Sequence, residues 1–234
     1  MENKLSVVII TKNEQDNIKD AIKSSAFASE VLVLDSHSKD LTREIASKNG
    51  ARVIKHEWLG YGAQKNKAVE LSKFDWIMVL DADERISEGL KEEIILTLEE
   101  PICDGYYVPR LNNFFGKNIR FCGLYPDYSI RLFNKNKGNF TNSTVHEKVI
   151  VDGEVGYLQN NINHIAYKTI DAFVNKQKTY ASLSNKKKNL LKSFISPFWV
   201  FLKIFIFRLG FLEGWRGFII AVTYARYTYW KYKK

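Results

Sequence analysis

Residues 5–10 form a continuous apolar run rich in β-branched side chains, the pattern of a strand buried on both faces. Polar residues follow at once, and between residues 14 and 26 the apolar period changes. Ile18, Ala21, Ile22 and Ser25 then fall on one helical stripe. The alternation repeats. Residues 31–34 predict a second strand, and residues 40–48 a helix carrying Leu41 and Ile45 that is stopped by Asn49-Gly50. Residues 52–54 predict a third strand, 62–72 a third helix and 76–80 a fourth strand. A helix capped by Ser87 and striped by Leu90, Ile94 and Leu98 follows. Strand–helix alternation at this spacing implies an α/β fold with a mainly parallel sheet flanked by helices. Such sheets bind ligands beyond the carboxyl ends of their strands.

Residues 105–165 lose the helical stripe and carry aromatic strands and several glycines. Residues 169–191 return to helix, with Ile170, Phe173, Val174, Gln177, Tyr180 and Ala181 on one side. From Ser193 the chain is aromatic and basic to its end. There is neither an internal repeat nor a low-complexity linker. The economical division is one domain of residues 1–168, in halves 1–100 and 101–168, and a helical extension of residues 169–234.

The chemistry should lie just after each strand. Thr11-Lys12-Asn13-Glu14 follows the first, Asp35-Ser36-His37-Ser38-Lys39-Asp40 the second, and Asp81-Ala82-Asp83-Glu84 the fourth. One strand-end Asp commonly just caps the next helix, but three polar ends in one parallel sheet make a ligand crevice. Two carboxylates one residue apart at the mouth of a strand can both approach a hard divalent cation, Mg2+ or Mn2+. Such an ion would neutralise charge on a leaving diphosphate. The first glycine is Gly50, so no phosphate-binding glycine loop follows the first strand. Kinases, P-loop hydrolases, classical dehydrogenases and nucleotidyltransferases are therefore disfavoured. Phosphate would rely on the metal and on basic residues such as Lys65 or Arg131. Asp35 suits the base or ribose of a nucleotide, because a carboxylate accepts from an imide N–H or a hydroxyl.

In their order, Val7-Val8-Ile9-Ile10-Thr11-Lys12-Asn13-Glu14, Val33-Leu34-Asp35-Ser36 and Leu80-Asp81-Ala82-Asp83-Glu84 resemble the motifs of a family 2 glycosyltransferase with the Rossmann-like GT-A fold. Within that family the chain is similar to the lipopolysaccharide core enzymes that add glucose or a related sugar to inner-core heptose. The likeness extends through Gly62-Ala63-Gln64-Lys65-Asn66, Pro126-Asp127-Tyr128-Ser129-Ile130-Arg131-Leu132-Phe133 and Val145-His146-Glu147 to Gly210-Phe211-Leu212-Glu213-Gly214. The resemblance implies a nucleotide-sugar donor, UDP-linked, bound by residues 1–100, with the acceptor side in residues 101–168. Thr11, Asn13, Glu14 and Asp35 would line the nucleoside pocket with Lys65 nearby, while Asp81 and Asp83 face ribose, metal and diphosphate. Inverting transfer needs one carboxylate base to deprotonate the acceptor hydroxyl. Many relatives place it in a Glu-Asp pair, which this chain lacks after the metal motif. Glu147 is then the first choice and Asp127 the second, the structural alternative for Glu147 being an ion pair with Arg131. His164 sits where a third metal ligand is expected, although a lone histidine is more often a structural hydrogen-bonder. No Gln-x-x-Arg-Trp motif is present, which favours one sugar added per encounter.

Charge locates a partner. From Lys176 onward there are 13 Lys and Arg and one acidic residue, Glu213; 22 basic and 25 acidic residues precede them. A mildly acidic body with a basic, aromatic tail suggests an anionic surface and not nucleic acid. Charges interrupt the tail too often for the roughly twenty apolar residues of a spanning helix. A helix lying in the interface, through residues 193–234 and aided by Lys186-Lys187-Lys188, fits better. The bland alternative is a helical pair packed on the catalytic domain or a second subunit. Cys103 and Cys122 lack metal spacing and read as free thiols, and the start of the chain lacks a signal-peptide pattern. A cytoplasmic protein, peripheral on the inner face of the membrane and acting on a glycolipid acceptor, is the expectation. A polyprenyl-phosphate glycosyltransferase and a catalytically silent GT-A scaffold are the competing readings.

Overall fold

The computed structural model describes residues 4–141, 147–184 and 188–233; His146, Lys186 and Lys187 lie outside the described residues. The chain forms two compact units, residues 1–110 with 128–164 and residues 111–127 with 165–234.

The first unit is built on four parallel strands in the order β3-β2-β1-β4: β1 (Leu5–Thr11), β2 (Glu30–Asp35), β3 (Arg52–Lys55) and β4 (Trp76–Asp81). The crossovers are α1 (Ile18–Ser24), α2 (Thr42–Lys48) and α3 (Tyr61–Leu71). Successive side chains in these buried strands feed opposite faces. Val7, Ile9, Val33, Met78 and Leu80 pack with Ile18 and Ile22 of α1, and with Leu90, Ile94 and Leu98 of α4 (Glu88–Glu99). Val8, Leu32, Leu34, Ile77 and Val79 pack on the other face with Ala68 and Val69 of α3. As expected, Ser87 caps α4, its side chain accepting from the Leu90 N–H at 3.2 Å.

Beyond β4 the topology becomes mixed. β5 (Glu84–Ile86) and β6 (Gly105–Phe114) follow, then β7 (Lys117–Asn118), β8 (Asp127–Asn134), β9 (Gly138–Phe140), β10 (Val149–Val151), β11 (Val155–Tyr157) and β12 (Ile162–Tyr167). β8 adds antiparallel to β4, and β12 pairs antiparallel with β5. β9 and β10 form a separate hairpin that carries Phe140 to the α3 side. β6 and β12 both run on from the first unit into the second.

In the second unit α5 (Ile170–Leu183), α6 (Leu190–Leu202) and α7 (Trp215–Lys233) surround a core of Phe114, Ile119, Cys122, Phe173, Ile204, Ile220 and Ala221. α6 continues through a π-helical turn, Lys203–Phe207, and a 3₁₀ turn, Gly210–Glu213, precedes α7. Glu213 is buried there. It pairs with Lys117 at 2.8 Å and accepts from the Arg120 and Phe121 N–H groups at 2.8 and 3.1 Å. Gly217, in the first turn of α7, lies so close to that turn that a Cβ would sit 1.8 Å from the Gly210 carbonyl oxygen. Both cysteines are free thiols.

Several elements differ from the sequence expectation. α1 starts at Ile18, because residues 14–17 form a turn in which the Glu14 carbonyl accepts from Asn17 and Ile18. β5 escapes a periodicity argument at three residues. The helix expected over residues 169–191 stops at Leu183, where Ser184 turns extended, and Asn189 caps a separate α6 by accepting from the Lys192 N–H. Its buried stripe is narrower too: Phe173, Gln177 and Ala181 are inside, whereas Ile170 and Tyr180 face solvent. Residues Leu190–Phe207 form an 18-residue helical run of mean hydropathy 1.7 that is 11% buried, long and apolar enough by composition to cross a membrane.

The amino ends of the strands are clasped by Glu30. Its carboxylate accepts from Ser6 Oγ at 2.6 Å, the Lys73 N–H at 2.7 Å and Arg52 Nε at 2.8 Å. Burial alone would raise this carboxyl, but those partners outweigh it and hold it below the usual carboxylate range. A lowered folded-state value gives stability that is complete above the unfolded value of about 4.3 and is lost as pH falls through the folded value. Glu30→Gln should therefore cost roughly 2 kcal/mol at pH 7 and flatten the loss of stability below about pH 4.3, as read by urea unfolding across pH. An unchanged acid profile would remove Glu30 from the clasp.

Candidate active site

The first two strand ends are stitched to each other by side chain to main chain bonds. Asn13 adopts a positive φ of 57°, its N–H donates to Ser38 Oγ at 2.8 Å, and its Oδ1 accepts from the Lys39 N–H at 2.8 Å. The Glu14 N–H donates to Thr42 Oγ1 at 2.8 Å. Asp35 is fully buried between the loops. It accepts from Thr11 Oγ1 at 3.1 Å, from the Ser38 N–H at 3.0 Å and from the Ser38 hydroxyl, with Arg43 Nε 3.5 Å away. Thr11, Asn13, Glu14 and Asp35 thus share one polar cradle at the carboxyl ends of β1 and β2. Gln64 reaches it from α3, donating to Ser36 Oγ at 3.0 Å.

Lys65 is positioned from below. Asn66 donates to the Phe140 carbonyl at 2.9 Å and accepts from the Phe140 N–H at 2.8 Å, locking α3 against β9. Gly62 permits that approach, since a Cβ there would sit 2.4 Å from the Thr141 carbonyl oxygen. The buried Lys65 ammonium consequently lies 3.2 Å from Asp81 Oδ1 and 3.0 Å from Glu147 Oε1. The ion pair weighed as the structural alternative for Glu147, with a neighbour such as Arg131, forms instead with Lys65 of α3.

Arg131, on β8, closes the other side of Asp81 at 3.4 Å and makes its shorter bond, 2.7 Å, to Glu84. Ser129 Oγ accepts from its Nε at 3.1 Å, and Arg110 also faces Glu84 at 3.5 Å. Glu84 further accepts from the Asp81 N–H at 3.0 Å. Burial would raise the Asp81 carboxyl, but the Lys65 and Arg131 charges prevail and hold it well below the usual range. Glu84 is fully enclosed; burial pushes its carboxyl up and the Asp81 charge adds to this, against the pull of Arg131 and Arg110.

The β12–β5 register sets His164 opposite Glu84 and so beside Asp83, with His164 Nε2 and Asp83 Oδ2 3.3 Å apart. Both are partly accessible. The three expected metal residues therefore divide: Asp83 and His164 come together, while Asp81 is engaged by the two cations. Among the described residues no three His, Cys, Asp or Glu side chains form a self-contained metal cage. A carboxylate and an imidazole with open positions still fit an ion completed by phosphate oxygens. Asp127 opens β8 and belongs to the second unit. Glu84, Arg110, Gln64 and Asn66 were given no site role from sequence. Three of them lie inside quoted motifs, but Arg110 sits on a strand with no local signal.

The model of the family described as glycosyl transferase family 2 matches residues 6–152. An uncharacterized glycosyltransferase from Rickettsia typhi is 35% identical, the match covering 95% of this chain and 83% of that protein. The lipopolysaccharide core biosynthesis glycosyltransferase LpsC of Rhizobium meliloti is 28% identical over 96% of this chain and 89% of its own length. Among solved structures, S. aureus TarS 1–349 superposes with a TM-score of 0.51 at 17% identity, covering 97% of this chain and 88% of that one. TarS 1–349 in complex with UDP gives a TM-score of 0.50 at 16% identity over 90% and 75%.

Alanine for glycine inside a helix ordinarily stabilises by about 1 kcal/mol. Gly62→Ala should do the opposite, lowering the melting temperature and weakening nucleotide binding as α3 and Lys65 are pushed from β9. A raised melting temperature would show that α3 does not need this contact.

Proposed function

The chain belongs to glycosyl transferase family 2, and we propose that it moves a single hexose, glucose or a relative, from a UDP-sugar to a glycolipid acceptor such as a lipopolysaccharide core, with inversion. Family membership carries the use of a nucleotide-sugar. The observation that carries the site is the convergence of two buried cations, Lys65 and Arg131, on Asp81 at the carboxyl end of β4. The core-biosynthesis relative supports the acceptor class, and the UDP complex of TarS, a protein of like fold, supports the nucleotide.

The cradle of Thr11, Asn13, Glu14 and Asp35 would receive the nucleoside, its loops already fixed by their mutual hydrogen bonds. Lys65 and Arg131 would face the diphosphate, where fixed cations stabilise charge that develops on the leaving group. Asp83 and His164 would hold a divalent ion, with Asp81 beside them, and such an ion supplies further neutralisation of the diphosphate. The imidazole favours Mn2+ over Mg2+, since nitrogen ligands suit transition metals better. Glu147 is the proposed base because it shares Lys65 with Asp81 and so lies at the motif. It would take the acceptor hydroxyl proton as the new C–O bond forms on the face opposite the diphosphate. The anomeric C–O bond breaks in the same displacement, and the nucleoside diphosphate leaves with the bonding pair. Residues 193–234 are proposed as a peripheral contact with the cytoplasmic face of the membrane, where a glycolipid acceptor is at hand.

Glu147→Gln should lower turnover by at least a hundredfold while UDP affinity stays within a few-fold, and Asp127→Asn should leave turnover largely intact. The converse pattern, measured at saturating donor, would move the base to Asp127. Asp83→Ala should abolish Mn2+-stimulated release of nucleoside diphosphate; stimulation that survives would overturn the metal assignment.

A further inference from the structure

The second unit carries an apolar groove that no catalytic role uses. The Asn189 N–H donates to the Tyr232 carbonyl at 3.0 Å, so the start of α6 meets the end of α7. Between them lies a groove of about 570 Å³, in the range of small-ligand sites. Phe194, Pro197, Phe198 and Phe201 form one wall at helical spacing, and Val222 and Ala225 stand on the other. Phe194 and Phe198 are 70% and 67% exposed, and Leu191, Ile195 and Trp199 extend the same apolar surface around α6. A patch of this kind calls for an apolar partner.

Its charge selects which one. Arg226 is exposed and belongs to the groove lining, stacked over Trp230 at 5.2 Å from the ring centroid. Lys192, Lys203 and Lys233 are also exposed on these elements. The one acidic residue beyond Lys176 is Glu213, which is buried against Lys117. A second copy docking face to face would set these cations against one another with no acid to answer them. A spanning helix fits less well, because Ile204 is buried in the core of the unit and Val200, Phe201 and Phe205 pack partly against it. We propose that the α6–α7 groove binds one acyl chain of an anionic glycerophospholipid, with Arg226 at its rim pairing the phosphate. This rests on the membrane contact proposed above and narrows it from a general surface to a discrete site. Aromatic rings beside an apolar slot and a guanidinium at its edge suit the boundary between headgroups and acyl chains.

The test uses the full chain and two lipid forms. Dihexanoyl phosphatidylglycerol, kept below its micellar concentration, is titrated calorimetrically; sedimentation is followed with vesicles of phosphatidylcholine alone or mixed with phosphatidylglycerol. Wild type should bind one short-chain anionic lipid, at least tenfold more tightly than dihexanoyl phosphatidylcholine. Ala225→Trp, which fills the groove from its small side, and Arg226→Glu should each weaken binding tenfold or more. Thermal unfolding checks that the variants fold, and should Ala225→Trp fail, the exposed Arg226→Glu decides. Binding unaffected by the substitutions, or vesicle binding without a saturable short-chain site, overturns the groove while leaving membrane contact standing. Failure of wild type to bind any anionic vesicle overturns both, as does a stable dimer that buries Phe194 and Phe198.

Discussion

A lysine ammonium withdrawn from water needs compensating charge, and around Lys65 the first unit supplies it twice. Asp81 comes from the end of β4 and Glu147 from the chain just before β10, so one cation ties a sheet strand to a hairpin distant in sequence. A buried charge left with no counter-charge is costly, and Lys65 avoids that cost through two carboxylates that must both reach it. The arrangement therefore demands accurate placement of α3. Asn66 meets that demand through its paired bonds to the Phe140 main chain, and Gly62 by offering no side chain where the two elements touch.

The same economy continues on the far side of Asp81. Arg131 and Arg110 converge on Glu84, and Glu84 in turn holds the Asp81 N–H. An enclosed carboxyl group thus fixes the guanidinium that faces Asp81, and positive charge is gathered at the end of β4. Charge fixed in a low-dielectric site need not reorganise during reaction, which is the physical advantage of building it into strand ends. The β12–β5 register completes the site by bringing a histidine to Asp83 across antiparallel strands.

The second unit solves a different problem with similar means. Glu213 is enclosed and accepts from Lys117 and two main-chain N–H groups, so it joins the β7 region to the turn before α7. α6 is largely outward-facing, with Val200 and Phe201 packed partly against the core. Its outward side chains are aromatic and its charges are positive, a combination that water alone does not favour.

Much of the first hundred residues was legible in order. Short runs rich in β-branched residues between polar turns read as strands buried on both faces. Leu90, Ile94 and Leu98, four residues apart behind the Ser87 cap, read as one face of a helix. The carboxylates of Asp35, Asp81 and Asp83 were legible for the same reason, since parallel strands of this kind must present their ends to a crevice. The sequence also carried the basic and aromatic character of the tail. It did not carry the partners. That Glu147 meets Lys65 and not Arg131, that Glu84 is enclosed by two arginines, and that the helix after Thr169 breaks at Ser184 all depend on contacts between segments far apart in the chain. Periodicity reports which face a residue occupies. Only the packing of α3 on β9, and of β8 beside β4, determines which charge stands opposite it.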